Sequence, residues 1–182
     1  LPSPTGACDS WKIACSGLIT RTGNGEGFLA VLLGRPGTGK TQMATEWLRF
    51  ILQTAKDDKD IARHVENWLA MHVLYRKASD LFREIRATFD RNDKSEYDVV
   101  RRFCIVRALV IDEIDSRART NFEQRMLRDI LDERYANFRE TVIISNDRTR
   151  SVFVNHQPEY LMSRLSESGL FIECNWPSFR ET

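Results

Sequence analysis

The chain is poor in the residues that build metal centres and disulfide frameworks. Its four cysteines, Cys8, Cys15, Cys104 and Cys174, lie far apart and form no C-x-x-C pair, and only three histidines accompany them. That pattern argues against a zinc module or a disulfide-stapled secreted domain, and reduced thiols of a cytoplasmic protein are the simplest reading. No apolar run approaches the roughly 18 residues of a membrane span, and no signal peptide opens the chain. An excess of one charge is missing too. Twenty-seven Lys and Arg stand against 26 Asp and Glu, a net charge of +1. Any surface for a polyanion therefore has to be local. Internal repeats and low-complexity tracts are absent. What remains, 182 residues with 42% hydrophobic and 29% charged, is ordinary composition for one sizeable domain.

Against that background one stretch stands out. Gly34, Arg35, Pro36, Gly37, Thr38, Gly39, Lys40 and Thr41 read G-x-x-x-x-G-K-T, with Gln42 behind them. From average residue usage, a chance match in a chain this long is on the order of one in a hundred. The context lowers that further. Residues 28–33 are an apolar run that suits a buried strand, and Met43, Ala44, Trp47, Leu48, Ile51, Leu52 and Ala55 follow at helical spacing. Strand, glycine-rich turn and helix together make a phosphate-binding loop. Its glycines let several backbone N–H groups face one point, and the helix dipole adds to their field. Lys40 is expected to reach the β- and γ-phosphates of ATP or ADP, and the Thr41 hydroxyl to hold Mg²⁺.

About 70 residues on, Ala108, Leu109, Val110 and Ile111 end in Asp112 and Glu113. Downstream of a phosphate loop, such a strand supplies an acid that holds Mg²⁺ through water, here Asp112. The second acid, Glu113, is placed to orient and deprotonate an attacking water. Residues 141–146 form another buried run with a polar tip, and a strand beside Asp112 would bring Asn146 near the γ-phosphate.

The remaining pattern alternates strand and helix. Residues 11–19 suit a short helix on the core, 61–69 a helical insertion and 71–75 a strand. Ser79 and Asp80 can cap a helix to about Phe89, with Leu81, Phe82, Ile85 and Phe89 inward and Arg83 and Arg86 together on another face. Residues 121–138 read as an amphipathic helix with Phe122, Met126, Leu127, Ile130, Leu131, Tyr135 and Phe138 inward. A helix at 159–165 and a strand at 170–174 follow. The expected fold is a three-layer αβα sandwich with a mostly parallel sheet, binding its ligand at the carboxyl ends of the strands. Residues 1–182 are expected to form one domain, with 1–27 as lead-in. The start at Leu1 points to a piece of a longer protein.

The order of motifs GRPGTGKT, LVIDEI, IISN and SRL resembles the AAA+ ATPases. The stretch ALVIDEIDSRARTNFEQRMLRDILDERYANFRETVIISN and the ending ECNWPSFR are similar to the helicase loader DnaC and IstB family, the ending pointing to the DnaC branch. The resemblance covers about residues 28–180. It implies an ATPase in which Asn146 senses the γ-phosphate and Arg164 of Ser163-Arg164-Leu165 reaches a neighbouring subunit's ATP. Arg180 would act on the ATP of its own subunit. Arg134 is a second candidate for the contact between subunits. The resemblance further implies an ATP-dependent homo-oligomer, a replicative helicase as partner and single-stranded DNA gripped through Arg83 and Arg86. The alternatives are a transposition helper ATPase on duplex DNA and an ATP-gated switch with little turnover. The family's N-terminal partner-clamping domain has no counterpart before residue 28, so it is expected to lie outside this chain.

Overall fold

The structure, a computed structural model, describes residues 8–23, 25–56, 72–89, 95–114 and 120–180. Five strands make one sheet: β1 (Phe28–Leu33), β2 (Val73–Lys77), β3 (Ala108–Asp112), β4 (Glu140–Ile144) and β5 (Gly169–Glu173). Their spatial order is β2-β3-β4-β1-β5, and every pairing is parallel. β1, β3 and β4 are buried at each position. Each has a strand on both sides and helices over both faces, which is why they read as unbroken apolar runs rather than alternating ones.

Alternate residues of β1 face different cores. Phe28, Ala30 and Leu32 pack with Trp11 and Leu18 of α1 (Asp9–Thr20) and Met43, Trp47 and Ile51 of α2 (Lys40–Lys56). Leu29, Val31 and Leu33 face five other helices. These are α3 (Ala78–Arg86), α4 (Glu96–Ile105), α5 (Asn121–Ala136), α6 (Arg150–His156) and α7 (Glu159–Ser168), which contribute Leu81, Phe103, Leu127, Phe153 and Leu165 to that core. The architecture is the αβα sandwich anticipated from the alternation of elements.

Several local expectations need correction. β2 starts two residues later than 71–75, and the expected helix at 61–69 lies outside the described residues. Ser79 and Asp80 do not cap α3. They lie inside its first turn, Lys77 is the N-cap residue and no side chain caps the helix, because β2 runs into it without a loop. Phe89 and Phe138 do not face the core and are 60% and 66% exposed. α5 stops at Ala136, and Phe138 then adopts φ 51°, a turn that throws its ring outward. α6 has no counterpart in the sequence reading. It is a seven-residue helix capped by Thr149, too short for a helical period to show.

Arg134 is the largest correction. It is fully buried. Its guanidinium donates to the carbonyls of Phe103 (2.8 Å), Val106 (2.8 Å) and Glu140 (2.6 Å) and to the Thr141 hydroxyl (2.8 Å). Longer bonds reach Cys104 and Arg107. Burial pushes its pKa down to about 9, which leaves it charged at neutral pH. A buried guanidinium is tolerable only when its donors are matched in this way. Arg134 ties the end of α4 to the starts of β3 and β4, so it cannot serve a neighbouring molecule.

Candidate nucleotide site

The phosphate loop connects β1 to α2 at the carboxyl edge of the sheet. Gly37 and Gly39 have φ 87° and 77°, a region that residues with a Cβ avoid. Lys40, 5% exposed, turns back over the loop and donates to Gly34 O (2.5 Å) and Arg35 O (2.8 Å). Burial lowers its pKa, against the raising influence of Cys174 and Asp112, and Arg180 adds to the lowering. Arg35 and Thr41 are exposed and Gln42 is half-buried beside them. Pro36 is exposed as well.

The sheet register delivers the acids to the same edge. Lys77 is paired with Asp112, Ile111 with Ile143, and Leu32 with Ile144. Asp112 is 4% exposed. Its Oδ2 accepts from the Thr41 hydroxyl at 3.0 Å across 71 residues of sequence, and its Oδ1 accepts from Glu113 N at 2.7 Å. Two oxygen donors thus converge where magnesium, which prefers oxygen and keeps several waters, is expected. The pair fits such an ion. Glu113 has φ 57°, and its carboxylate accepts from Lys77 Nζ at 2.9 Å. That bond holds the Lys77 pKa above its ordinary value.

Asn146 is exposed at the tip of β4. Its neighbour Asp147 accepts from Gly34 N at 2.8 Å, so the start of the loop is tied to the chain beside Asn146. Arg180 comes to the loop from the C-terminal segment, and a Cβ built on Gly37 would lie 3.4 Å from Arg180 Cδ. Lys40, Thr41, Asp112, Glu113, Asn146 and Arg180 therefore gather at one edge.

Arg164 does not join them. It lies on α7, donates to Asp132 at 3.2 Å and stacks 4.4 Å from the centre of the Tyr135 ring. The nearby Glu167 accepts from the Tyr135 hydroxyl. Arg164 lines a cavity of about 320 Å³ with Gly27, Phe28 and Arg139, at the amino edge of the sheet. That is a strand's length, about 17 Å, from the chain's own phosphate loop. Arg83 and Arg86 also lie apart. Arg83 pairs with Asp80 at 2.7 Å. Arg86 pairs with Glu123 at 3.0 Å and lies over the Phe122 ring.

Two residues of the site escape sequence reasoning. The Tyr75 hydroxyl also donates to Asp112 Oδ2. Burial, then that hydrogen bond, raises its pKa, so it stays a donor. Lys77 faces Glu113 from the end of the same strand. Only the pairing of β2 with β3 brings either of them there, and no motif marks them.

The fold is that of the AAA+ P-loop ATPase domains. Domain III of the Thermotoga maritima replication initiation protein DnaA superposes with a TM-score of 0.70 at 15% identity, over 92% of this chain and 63% of that one. The more particular resemblance is to helicase loaders. The crystal structure of the DnaC helicase loader gives a TM-score of 0.68 at 19% identity and covers 92% of both chains. The replicative helicase loaders DnaC of Buchnera aphidicola (strain Bp) and Escherichia coli K12 are 24% and 25% identical to this chain over 83% and 82% of its length. The chain spans about half of each, 56% and 55%. A replication initiator DnaA bound to AMPPCP and single-stranded DNA has a TM-score of 0.64 at 15% identity, over 88% of this chain and 44% of that one. No protein-family model matches. Among the described residues no helix is long and apolar enough to cross a membrane.

Proposed function

We propose that this chain is the ATP-binding and ATP-hydrolysing domain of a cytoplasmic DNA replication helicase loader, assembling with its own copies on ATP and gripping single-stranded DNA. The observation that carries the reading is the 3.0 Å bond from the Thr41 hydroxyl to Asp112. It joins the phosphate loop to the acidic strand end, which supports one shared site for nucleotide and Mg²⁺. The likeness to helicase loaders supports the cellular role.

The loop N–H groups and Lys40 bind the β- and γ-phosphates. Thr41 and Asp112 would hold Mg²⁺, which offsets charge on those phosphates when bound. Asn146 faces the γ-phosphate, and Arg180 reaches the same nucleotide from the C-terminal segment. Glu113 takes the proton of the attacking water, for which it must leave Lys77. Arg164 contributes to the site of an adjoining subunit, since its own loop lies at the far edge. Glu113→Gln is expected to bind ATP as the parent does and to hydrolyse it at least about 10²-fold more slowly, the scale of a lost general base. Steady-state phosphate release and equilibrium binding check both halves. Parent-like turnover would assign the base to another residue.

The DNA grip is read onto Arg83 and Arg86, on the exposed side of α3. Their ion pairs are 47% to 76% exposed on the arginine side. Such pairs contribute about 0–1 kcal/mol, little enough for backbone phosphates to displace them. Binding of single-stranded DNA is expected to need ATP and to weaken steeply with salt. Replacing both arginines by Ala should remove most of it. Undiminished binding of the double variant at matched salt would move the grip elsewhere, and a parent that prefers duplex would favour a transposition helper.

A further inference from the structure

Most carbonyls of the phosphate loop are held by a donor, some from within the loop and some from outside it. Lys40 serves those of Gly34 and Arg35. Those of Gly37, Thr38 and Gly39 are held by groups from near the two ends of the chain. Gly37 O accepts from Phe179 N at 2.9 Å. Thr38 O accepts from the Trp176 indole at 2.8 Å. Gly39 O accepts from the Trp11 indole at 3.2 Å, besides its helical bond from Met43 N.

The peptide geometry gives these bonds a consequence. In a trans peptide the C=O and the following N–H point in opposite directions. Holding the carbonyls of Gly37, Thr38 and Gly39 on one side turns the N–H groups of Thr38, Gly39 and Lys40 to the other. Those are the groups that converge on a phosphate in such a loop. Without these donors the Gly37 and Thr38 peptides could rotate and point their carbonyls at the anion, while Gly39 O would keep only its helical bond from Met43 N.

An indole suits this task. It is a donor and never an acceptor, so it can hold a carbonyl but cannot compete for the loop N–H groups. Its rigid ring fixes where that carbonyl sits. Trp11 is 3% exposed, and both tryptophans pack in the core formed by α1 and α2. The space around the loop is matched to them. A Cβ on Gly39 would lie 2.8 Å from the Trp11 Nε1 and 3.1 Å from the Phe179 ring. Gly39 is therefore required twice, for its φ and for the approach of the two aromatic residues.

We propose that Trp11 and Trp176 are positioning residues of the phosphate site. Their N–H groups hold the carbonyls of Gly39 and Thr38 outward and so preset the loop amides for anionic phosphate. The inference rests on the reading of this loop as a nucleotide site.

The test measures three ligands on the full chain by calorimetry or competition: ADP, inorganic triphosphate and adenosine. The variants are Trp11→Phe, Trp176→Phe and their combination. A fourth replaces Trp176 by its benzothiophene analogue, which keeps the ring and deletes only the N–H. Each single change is expected to weaken ADP and triphosphate binding about 3- to 10-fold, the size of one net hydrogen bond. Adenosine, lacking phosphate, should bind as to the parent. A purely structural role for the rings would spare the benzothiophene variant or lower adenosine binding in step with ADP, and either result overturns the proposal. So does unchanged ADP affinity. If the parent itself binds neither ADP nor triphosphate, the nucleotide reading fails and takes this inference with it.

Discussion

Arg164→Ala is expected to leave ATP affinity of the isolated subunit unchanged and to cut hydrolysis by about 10³–10⁵-fold, the range for an arginine acting on the transferred phosphoryl. The position of the residue argues for this split. α7 runs directly into β5, and the first residue of β5, Gly169, is paired with Leu29 near the start of β1. Arg164, one turn earlier, therefore sits at the amino edge, while the phosphate loop follows the end of β1. Its pairing with Asp132 is about one-third exposed on both sides, a weak bond that a phosphate oxygen can replace. Mixing tests the geometry. Subunits carrying Lys40→Ala retain Arg164 but lack a working loop, and subunits carrying Arg164→Ala retain the loop. Together they should recover activity that neither has alone. No recovery at any ratio, with mixed assembly confirmed, would make Arg164 a structural residue held by Asp132 and Tyr135.

Lys40→Ala is expected to make ATP binding undetectable at neutral pH. Two losses combine. The phosphates lose the ammonium proposed to bind them, which backbone dipoles do not replace. The loop loses the donor that holds the Gly34 carbonyl and one of the two that hold the Arg35 carbonyl, and a carbonyl freed beside a phosphate repels it. Lys40 is nearly buried, so no water restores the missing donor cheaply. Calorimetric titration with ATP and with ADP measures the loss. Affinity equal to the parent's would end the nucleotide reading, and with it the roles given to Asp112, Glu113 and Arg180.

The phosphate loop, β1 and β3 were legible because their information is local. GRPGTGKT carries its own turn chemistry, and buried parallel strands appear as short apolar runs wherever they lie in the chain. β1 occupies the predicted residues 28–33. β2 was harder. It is only partly buried, and its run shifts by two residues against the prediction because Arg76 and Lys77, polar residues, complete it at the sheet edge.

Arg134 marks the limit on the other side. An arginine in the pattern Asp132-Glu133-Arg134 looks solvated, since charged residues are rarely buried. Its carbonyl partners come from the end of α4 and from the starts of β3 and β4, and these meet only once the sheet has formed. Tyr75 and Trp176 have the same origin. Each donates to a loop or acid far along the chain, Tyr75 across 37 residues and Trp176 across 138. The sequence by itself determined a glycine-rich turn between strand and helix and an acidic strand end within an αβα fold. Glycine conformation and apolar periodicity act over a few neighbouring residues. Tertiary structure alone decided that Tyr75 and Lys77 reach the acids and that Arg134 is buried while Arg164 lies at the opposite edge. Strand register and helix docking set those distances, and neither is written in any local stretch.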